Sequence, residues 1–437
     1  MSIRTSLGLA SALAVAAATA GYADNLSGTV TIATVNNGDM IRMQGLTSAF
    51  NETYPDITLE WVTLEENVLR QRVTQDIAAR GGQFDVMTIG TYEVPIWGRN
   101  GWLVSLDDLP AEWDADDLLP AIRDGLTVDG TLYAAPFYGE SSMVMYRTDL
   151  MEEAGLEMPE EPTWEFIREA AAAMTEGNTY GICLRGKAGW GENMAFLTSM
   201  GASYGAPWFD MEWKPQFSGE AWKKALTDYV AVMNEAGPPG ASSNGFNENL
   251  ALFQTGKCGM WIDATVAASF VSNPKDSTVA DKVGYALAPE GEKPQMWLWA
   301  WTLAVPSSTD APDAAKKFVA WATSKAYTEQ VAAEEGWANV PPGTRTSLYE
   351  NPAYLEAAPF AKPTLDSIMS ADLKNPTTVE VPYIGTQWVG IPEFQALGTA
   401  VGQQFAAALA GQASVDQALQ MAQQIAEREM AKAGYPK

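Results

Sequence analysis

Two hydrophobic periods alternate along the chain, and each switch between them marks a new element. Thr29 to Val35 alternates at the period of a strand and ends in the polar turn Asn36-Asn37-Gly38-Asp39, which opens a helix. Met40, Met43, Leu46 and Phe50 then recur at helical spacing as far as Tyr54-Pro55. Ile57 to Val62 returns to the strand period, Leu69, Val73 and Ile77 define a second helical face closed by Gly81-Gly82, and Phe84 to Ile89 is a third strand. This β-α-β-α-β order predicts a parallel sheet with right-handed crossovers. Ligands of such sheets sit beyond the carboxyl ends of the strands, which singles out Asn36, Asn37 and Asp39 after the first strand and Thr91, Tyr92 and Glu93 after the third.

A second α/β series follows. Leu132 to Arg147 passes from one apolar stretch to another across Gly139-Glu140-Ser141-Ser142. A polar step inside a strand is costly to bury without partners, so this one is expected to be a hinge that faces a cleft. Helices are predicted from Thr163, Ser218 and Asn247, with strands at Tyr180 to Leu184 and at Gly259 to Asp263. In Gln295 to Pro306, Trp297, Trp299 and Trp301 alternate with Leu298 and Ala300 and so project from one face of a strand. Two readings fit that run: an indole wall between two lobes, or plain core filling. A helix from Pro312 carrying Phe318 and Val319 is assigned to the first lobe, a turn-rich loop with Trp337, Asn339 and Arg345 follows, and Ser414 with Gln417 forms a capping box before the last helix.

Composition narrows the function. A chain of 437 residues is too long for one core, so two domains are expected. Asp and Glu number 54 against 27 Lys and Arg, and the net charge of −27 repels nucleic acid and anionic lipid. Histidine is absent, which removes the commonest general base, the Ser-His and Cys-His nucleophile systems and the commonest metal ligand. A basic start ending at Arg4, an uncharged run from Thr5 to Ala20 and small residues at Gly21 and Ala23 predict a signal peptide over residues 1–23, cleaved after Ala23, and hence a periplasmic protein. No later apolar run is long enough to span a bilayer. Cys183 and Cys258 lie in apolar strand-like segments and are expected to form a disulfide in that oxidising compartment, two separate buried thiols being the alternative.

With these residues placed, the chain resembles an extracellular solute-binding protein of an ABC importer, in the maltose-binding-like family and its sugar-alcohol branch. The resemblance rests on Phe50 with Tyr54-Pro55-Asp56-Ile57, Phe84-Asp85-Val86, Tyr146-Arg147-Thr148-Asp149-Leu150, Pro162-Thr163-Trp164, Phe253 with Gly256-Lys257 and Gly259-Met260-Trp261, and the Trp297 strand. It implies an α/β, type II-like periplasmic binding protein fold of two discontinuous lobes joined by hinge strands, with residues 24–138 and 303–350 in one lobe and 139–302 and 351–437 in the other. It also implies a small-molecule polyol such as mannitol, sorbitol or arabitol as ligand, ABC permease subunits as partners, a monomer, and no enzyme activity, metal or cofactor. By match of segments, ligand contacts are expected at Asn36, Asn37, Asp39, Thr91, Tyr92, Glu93, Glu140, Arg185, Lys187, Trp190, Glu192, Asn193, Asp263, Trp297, Trp299 and Trp301. Trp337, Asn339 and Arg345 complete that set.

The residue types suit the task. A polyol carries a hydroxyl on every carbon, so carboxylates accept from it, guanidinium and ammonium groups donate to it, and indoles cover its C–H faces. Each residue has a plain structural alternative: surface charge for Glu93 and Glu140, ion pairing for Arg185 and Arg345, helix capping for Asn36, Asn37 and Asp39, and core packing for Trp190 and Trp337. Three functional alternatives stand beside polyol binding. One is a mono- or oligosaccharide bound in the same way; another is an exported glycosidase using two carboxylates, although no spacing singles out such a pair; the third is an adhesion or sensor partner, for which a receptor rather than a permease would be encoded beside it.

Overall fold

The computed structural model describes residues 26–294 and 296–436. The expected signal peptide, its cleavage point after Ala23, and Gln295 lie outside the described residues. The strands in chain order are β1 (Gly28–Val35), β2 (Ile57–Leu64), β3 (Val86–Gly90), β4 (Thr127–Val128), β5 (Thr131–Leu132), β6 (Ala135–Glu140) and β7 (Ser142–Arg147). They continue with β8 (Tyr180–Cys183), β9 (Cys258–Ala264), β10 (Val283–Leu287) and β11 (Trp299–Ala304). Two sheets divide them. The first has the order β2-β1-β3-β11-β6, the second β10-β7-β9-β8, and β4 and β5 form a small hairpin between the two series.

In the first sheet β1 pairs in parallel with β2 and β3, as the β-α-β-α-β pattern requires, and β11 enters antiparallel between β3 and β6. The helix Pro312–Ala322 covers it, with fully buried Phe318 against Phe50 and Trp61. The second sheet carries the helix Asn193–Ser203, every residue of which is buried, and the C-terminal helices Phe394–Leu409 and Val415–Lys432 pack onto this lobe. Cys183 and Cys258, on neighbouring strands of that sheet, are joined in a disulfide.

Only Ser141 separates β6 of the first sheet from β7 of the second. Its backbone N–H donates to Thr265 Oγ1 at 3.1 Å and its carbonyl accepts from Thr265 N–H at 2.8 Å, so the backbone of the polar step is satisfied, whereas the Ser141 hydroxyl is buried without a partner among the described residues. The crossings differ from the expected boundaries. β6 runs on to Glu140, and β11 pairs with β3 and β6 from Trp299 onward, so the chain returns to the first lobe before Trp299 and not after residue 302. Backbone pairing, which hydrophobic periodicity does not report, sets these limits.

Local departures have local causes. The helix expected from Met40 to Phe50 is two, Gly38–Gly45 and Ser48–Thr53, interrupted where Gly45 and Thr47 are weak helix formers. The left-handed stop after Glu66–Ala79 is Arg80, at φ 52°, rather than a glycine; Gly81 is needed because a Cβ there would lie 2.2 Å from Asp76 Oδ1. Thr163 and Ser414 cap their helices as expected, whereas Ser218 lies one residue before Gly219, the N-cap of Glu220–Ala236. The helix expected from Asn247 begins one residue earlier, at Phe246.

Candidate ligand-binding site

The two lobes face one another across a cavity of about 80 Å³, lined from the carboxyl ends of most strands and from the amino end of the antiparallel β11. From the first lobe come Asn36 and Asn37 after β1, Glu65, Glu66 and Arg70 after β2, Tyr138 and Glu140 on β6, and Trp299 and Trp301 on β11. From the second come Arg185, Lys187, Trp190 and Glu192 after β8, Phe246 to Glu248 at a helix start, and Val266 after β9. Trp297 and Gln387 close the wall.

Register explains the clustering. Across β11 and β6, Trp299 sits opposite Glu140 and Trp301 opposite Tyr138, while Trp301 faces Gly90 of β3. A Cβ on Gly90 would lie 1.9 Å from Trp299 Cζ2, so the bare glycine lets the indole lie over the strand. Trp297 precedes the strand, and its segment is pinned by Gln387, which donates to Leu298 carbonyl at 2.9 Å and accepts from Leu298 N–H at 3.3 Å. Asn37 does two jobs: its Oδ1 caps the helix at Met40 N–H, and its Nδ2 donates to Tyr138 hydroxyl at 2.9 Å.

Arg70 is the hub of the wall. Its guanidinium carbon lies 4.0, 4.6 and 4.9 Å from the rings of Trp190, Trp301 and Trp299, and it pairs with Glu66 at 2.8 Å and Glu93 at 3.0 Å. Because Trp190 belongs to the second lobe, this stack spans the cleft. Lys187 Nζ reaches Glu65 Oε1 at 2.6 Å, and Asn247 Nδ2 donates to Asn36 carbonyl at 3.0 Å, so the lobes are in direct polar contact. The conformation is closed.

Several expected site residues stand one layer back. Asp263 is fully buried and holds Arg185 through Nε at 2.9 Å and Nη2 at 2.6 Å. Burial works against the Arg185 charge, yet Asp263 keeps its pKa above the ordinary arginine value. Glu93 accepts from Arg70 and from Gly90 N–H, Tyr92 donates its hydroxyl to Ile391 carbonyl while its ring lies 4.9 Å from Trp190, and Thr91 is buried. Asn193 accepts from Gly189 N–H and donates to Gly402 carbonyl. Others are elsewhere. Asp39 points along its helix to Arg42 at 2.5 Å, Asn339 donates to Glu335 carbonyl, and Arg345 donates to the carbonyls of Asp114 and Thr323 under Trp113. Trp337 lies beside Arg345 on another surface of the first lobe.

Glu65, Glu66 and Arg70 were not expected at the site, although the rule that picked Asn36 applies equally to the carboxyl end of β2, and Arg70 follows Glu66 by one helical turn. Phe246 and Gln387 carried no local signal. The indole N–H groups of Trp190, Trp297 and Trp299 are buried without an acceptor among the described residues. All three indoles line the cavity.

Burial raises the carboxyls of Glu93, Glu140 and Glu192 above their ordinary range. Glu192 rises from 4.5 to about 7, through desolvation first and the nearby Glu66 second, with Arg185 and Lys187 opposing. A carboxyl whose folded pKa exceeds its unfolded value keeps its proton only in the folded state between the two values. Its contribution to stability is therefore greatest below about 4.5 and is lost as pH rises through about 7. Glu192→Gln removes that ionisation, so in ligand-free protein the melting temperature of the variant should gain on the wild type between those pH values. Parallel melting curves across that window would refute the assignment.

Residues 37–329 match the model of the bacterial extracellular solute-binding proteins. The chain belongs to that family. This solute-binding protein is 59% identical over 413 residues to a mannitol-binding protein of Pseudomonas aeruginosa, covering 94% of each chain. A crystal structure of an ABC transporter solute-binding protein from Agrobacterium vitis with bound D-mannitol is 68% identical, with a TM-score of 0.93 over 94% of this chain and 100% of that one. A solute-binding protein from Agrobacterium radiobacter in complex with ribitol is 25% identical, with a TM-score of 0.81 over 92% of this chain and 99% of the other. The α/β, two-lobe periplasmic binding protein fold expected from the sequence is the fold found.

Proposed function

We propose that this solute-binding protein closes its two lobes over a small neutral polyol, a hexitol such as mannitol, and delivers it from the periplasm to the permease of an ABC importer. It acts as a monomer and performs no chemistry on its ligand. The observation that carries the reading is the cavity between the lobes, where acceptors, donors and indole N–H groups without an acceptor among the described residues converge. Its volume of about 80 Å³ suits a small ligand. The relatives whose names or structures include mannitol and ribitol support the same class of ligand. Bound ligand favours the closed form through its contacts to both lobes.

Isothermal titration with mannitol, sorbitol, arabitol, ribitol and maltose tests this. Mannitol is expected among the tightest and maltose is expected not to bind. At 100 times its dissociation constant the preferred polyol should add about 2.7 kcal/mol of stability, read as a thermal shift. No binding by any polyol, or maltose binding above all of them, would sink the proposal. Scattering curves that superimpose with and without saturating mannitol would refute closure.

A further inference from the structure

Resting on polyol binding, we propose a second ligand class for the same cavity: a polyhydroxylated amine, in which a protonated ammonium replaces one terminal hydroxyl of a hexitol and pairs with Glu140. Glu140 ends β6, is 6% exposed and lines the cavity, yet it makes no hydrogen bond or ion pair through its side chain with any described residue. The other carboxyls around it are engaged. Glu65 holds Lys187, Glu66 and Glu93 hold Arg70, and Asp263 holds Arg185. Glu192 lies 3.3 Å from Lys187 and 3.9 Å from Arg185. The cations are thus consumed by acids other than Glu140, and Arg185 also donates to Gly191 carbonyl at 2.8 Å.

A buried carboxyl without a partner has two ways to avoid the cost of its charge: it keeps a proton, or it receives a cation. Burial does push the Glu140 carboxyl well above its usual range, with Arg185 opposing and Asp263 and Glu66 adding to the shift. As a neutral acid it can donate to and accept from an uncharged alditol. An ammonium ligand takes the second route and supplies the missing charge. Trp299 pairs opposite Glu140 across β6 and β11 and lines the same cavity. A metal ion is a poorer fit, because no group of three or more His, Cys, Asp or Glu converges on one point among the described residues. An anionic analogue would meet Glu140 and the surplus acids and be rejected.

Titration at neutral pH with D-mannitol, 1-amino-1-deoxy-D-mannitol and D-mannonate tests the assignment. The amine is expected to bind within about tenfold of mannitol and the acid at least about 100-fold more weakly than mannitol. Glu140→Gln should lower the affinity for the amine at least about tenfold more than that for mannitol, and Glu140→Asp, which keeps the charge, should restore part of that difference. Circular dichroism checks that both variants fold. An amine weaker than mannitol by more than about tenfold, an acid that binds as well as the amine, or equal losses of amine and mannitol in Glu140→Gln would overturn the proposal. Mannitol that fails to bind refutes the polyol reading itself, whereas an amine that fails beside a mannitol that binds refutes this inference alone.

Discussion

Replacing Asp263 with alanine is expected to cost about 3–5 kcal/mol of folding stability and to abolish polyol binding. The carboxylate is fully buried and accepts from Arg185 Nε and Nη2, from Trp261 Nε1 at 3.1 Å and from Ala264 N–H at 2.7 Å. Its removal leaves the Arg185 guanidinium buried without its anion, with only Gly191 carbonyl and the more distant Glu192 for company. Arg185 would then have no reason to hold its place in the cavity wall, so the binding loss follows from the structural one. Asp263→Asn keeps the shape and two of the acceptor contacts and should recover part of the stability. Urea unfolding measures both, and a denaturation midpoint for Asp263→Ala equal to that of the wild type would show that the pair carries no such energy.

Trp299→Ala is expected to act on both fold and site. The indole is 4% exposed, packs edge-to-face with Trp190 at 5.8 Å and Trp301 at 5.5 Å, and lies over Gly90 and beside Arg70. Truncating a buried aromatic to alanine costs about 3–5 kcal/mol. Because Trp190 belongs to the other lobe, the closed state loses more than the open one, and polyol affinity should fall by at least about 30-fold, or about 2 kcal/mol. A variant that is destabilised yet binds mannitol as tightly as the wild type would place the indole in the core alone.

Both expectations involve residues that were visible in the sequence, but with different physics. The alternating indoles could be read directly, since a strand sends every second side chain the same way. Whether they faced a ligand or a core could not, because that depends on what the opposite lobe brings up to them. Asp263 was read as a contact at a strand tip; the structure sets it behind Arg185. A carboxylate and a guanidinium distant in sequence announce nothing of their pairing until the fold joins the ends of β8 and β9. Arg345 and Asp39 show the converse: types suited to a site, taken up instead by carbonyls and a helical neighbour.

The sequence alone determined the alternation of strands and helices, the charge and missing histidine that exclude whole classes of chemistry, and the two caps at Thr163 and Ser414. These are local or additive properties, set by side-chain period and composition. The tertiary structure decided that β11 pairs in the first sheet, that Glu65, Glu66 and Arg70 join the cavity, and that Glu140 is left without a side-chain partner among the described residues. Those outcomes depend on distances between segments far apart in the chain, and pairing, burial and charge balance exist only once the two lobes have met.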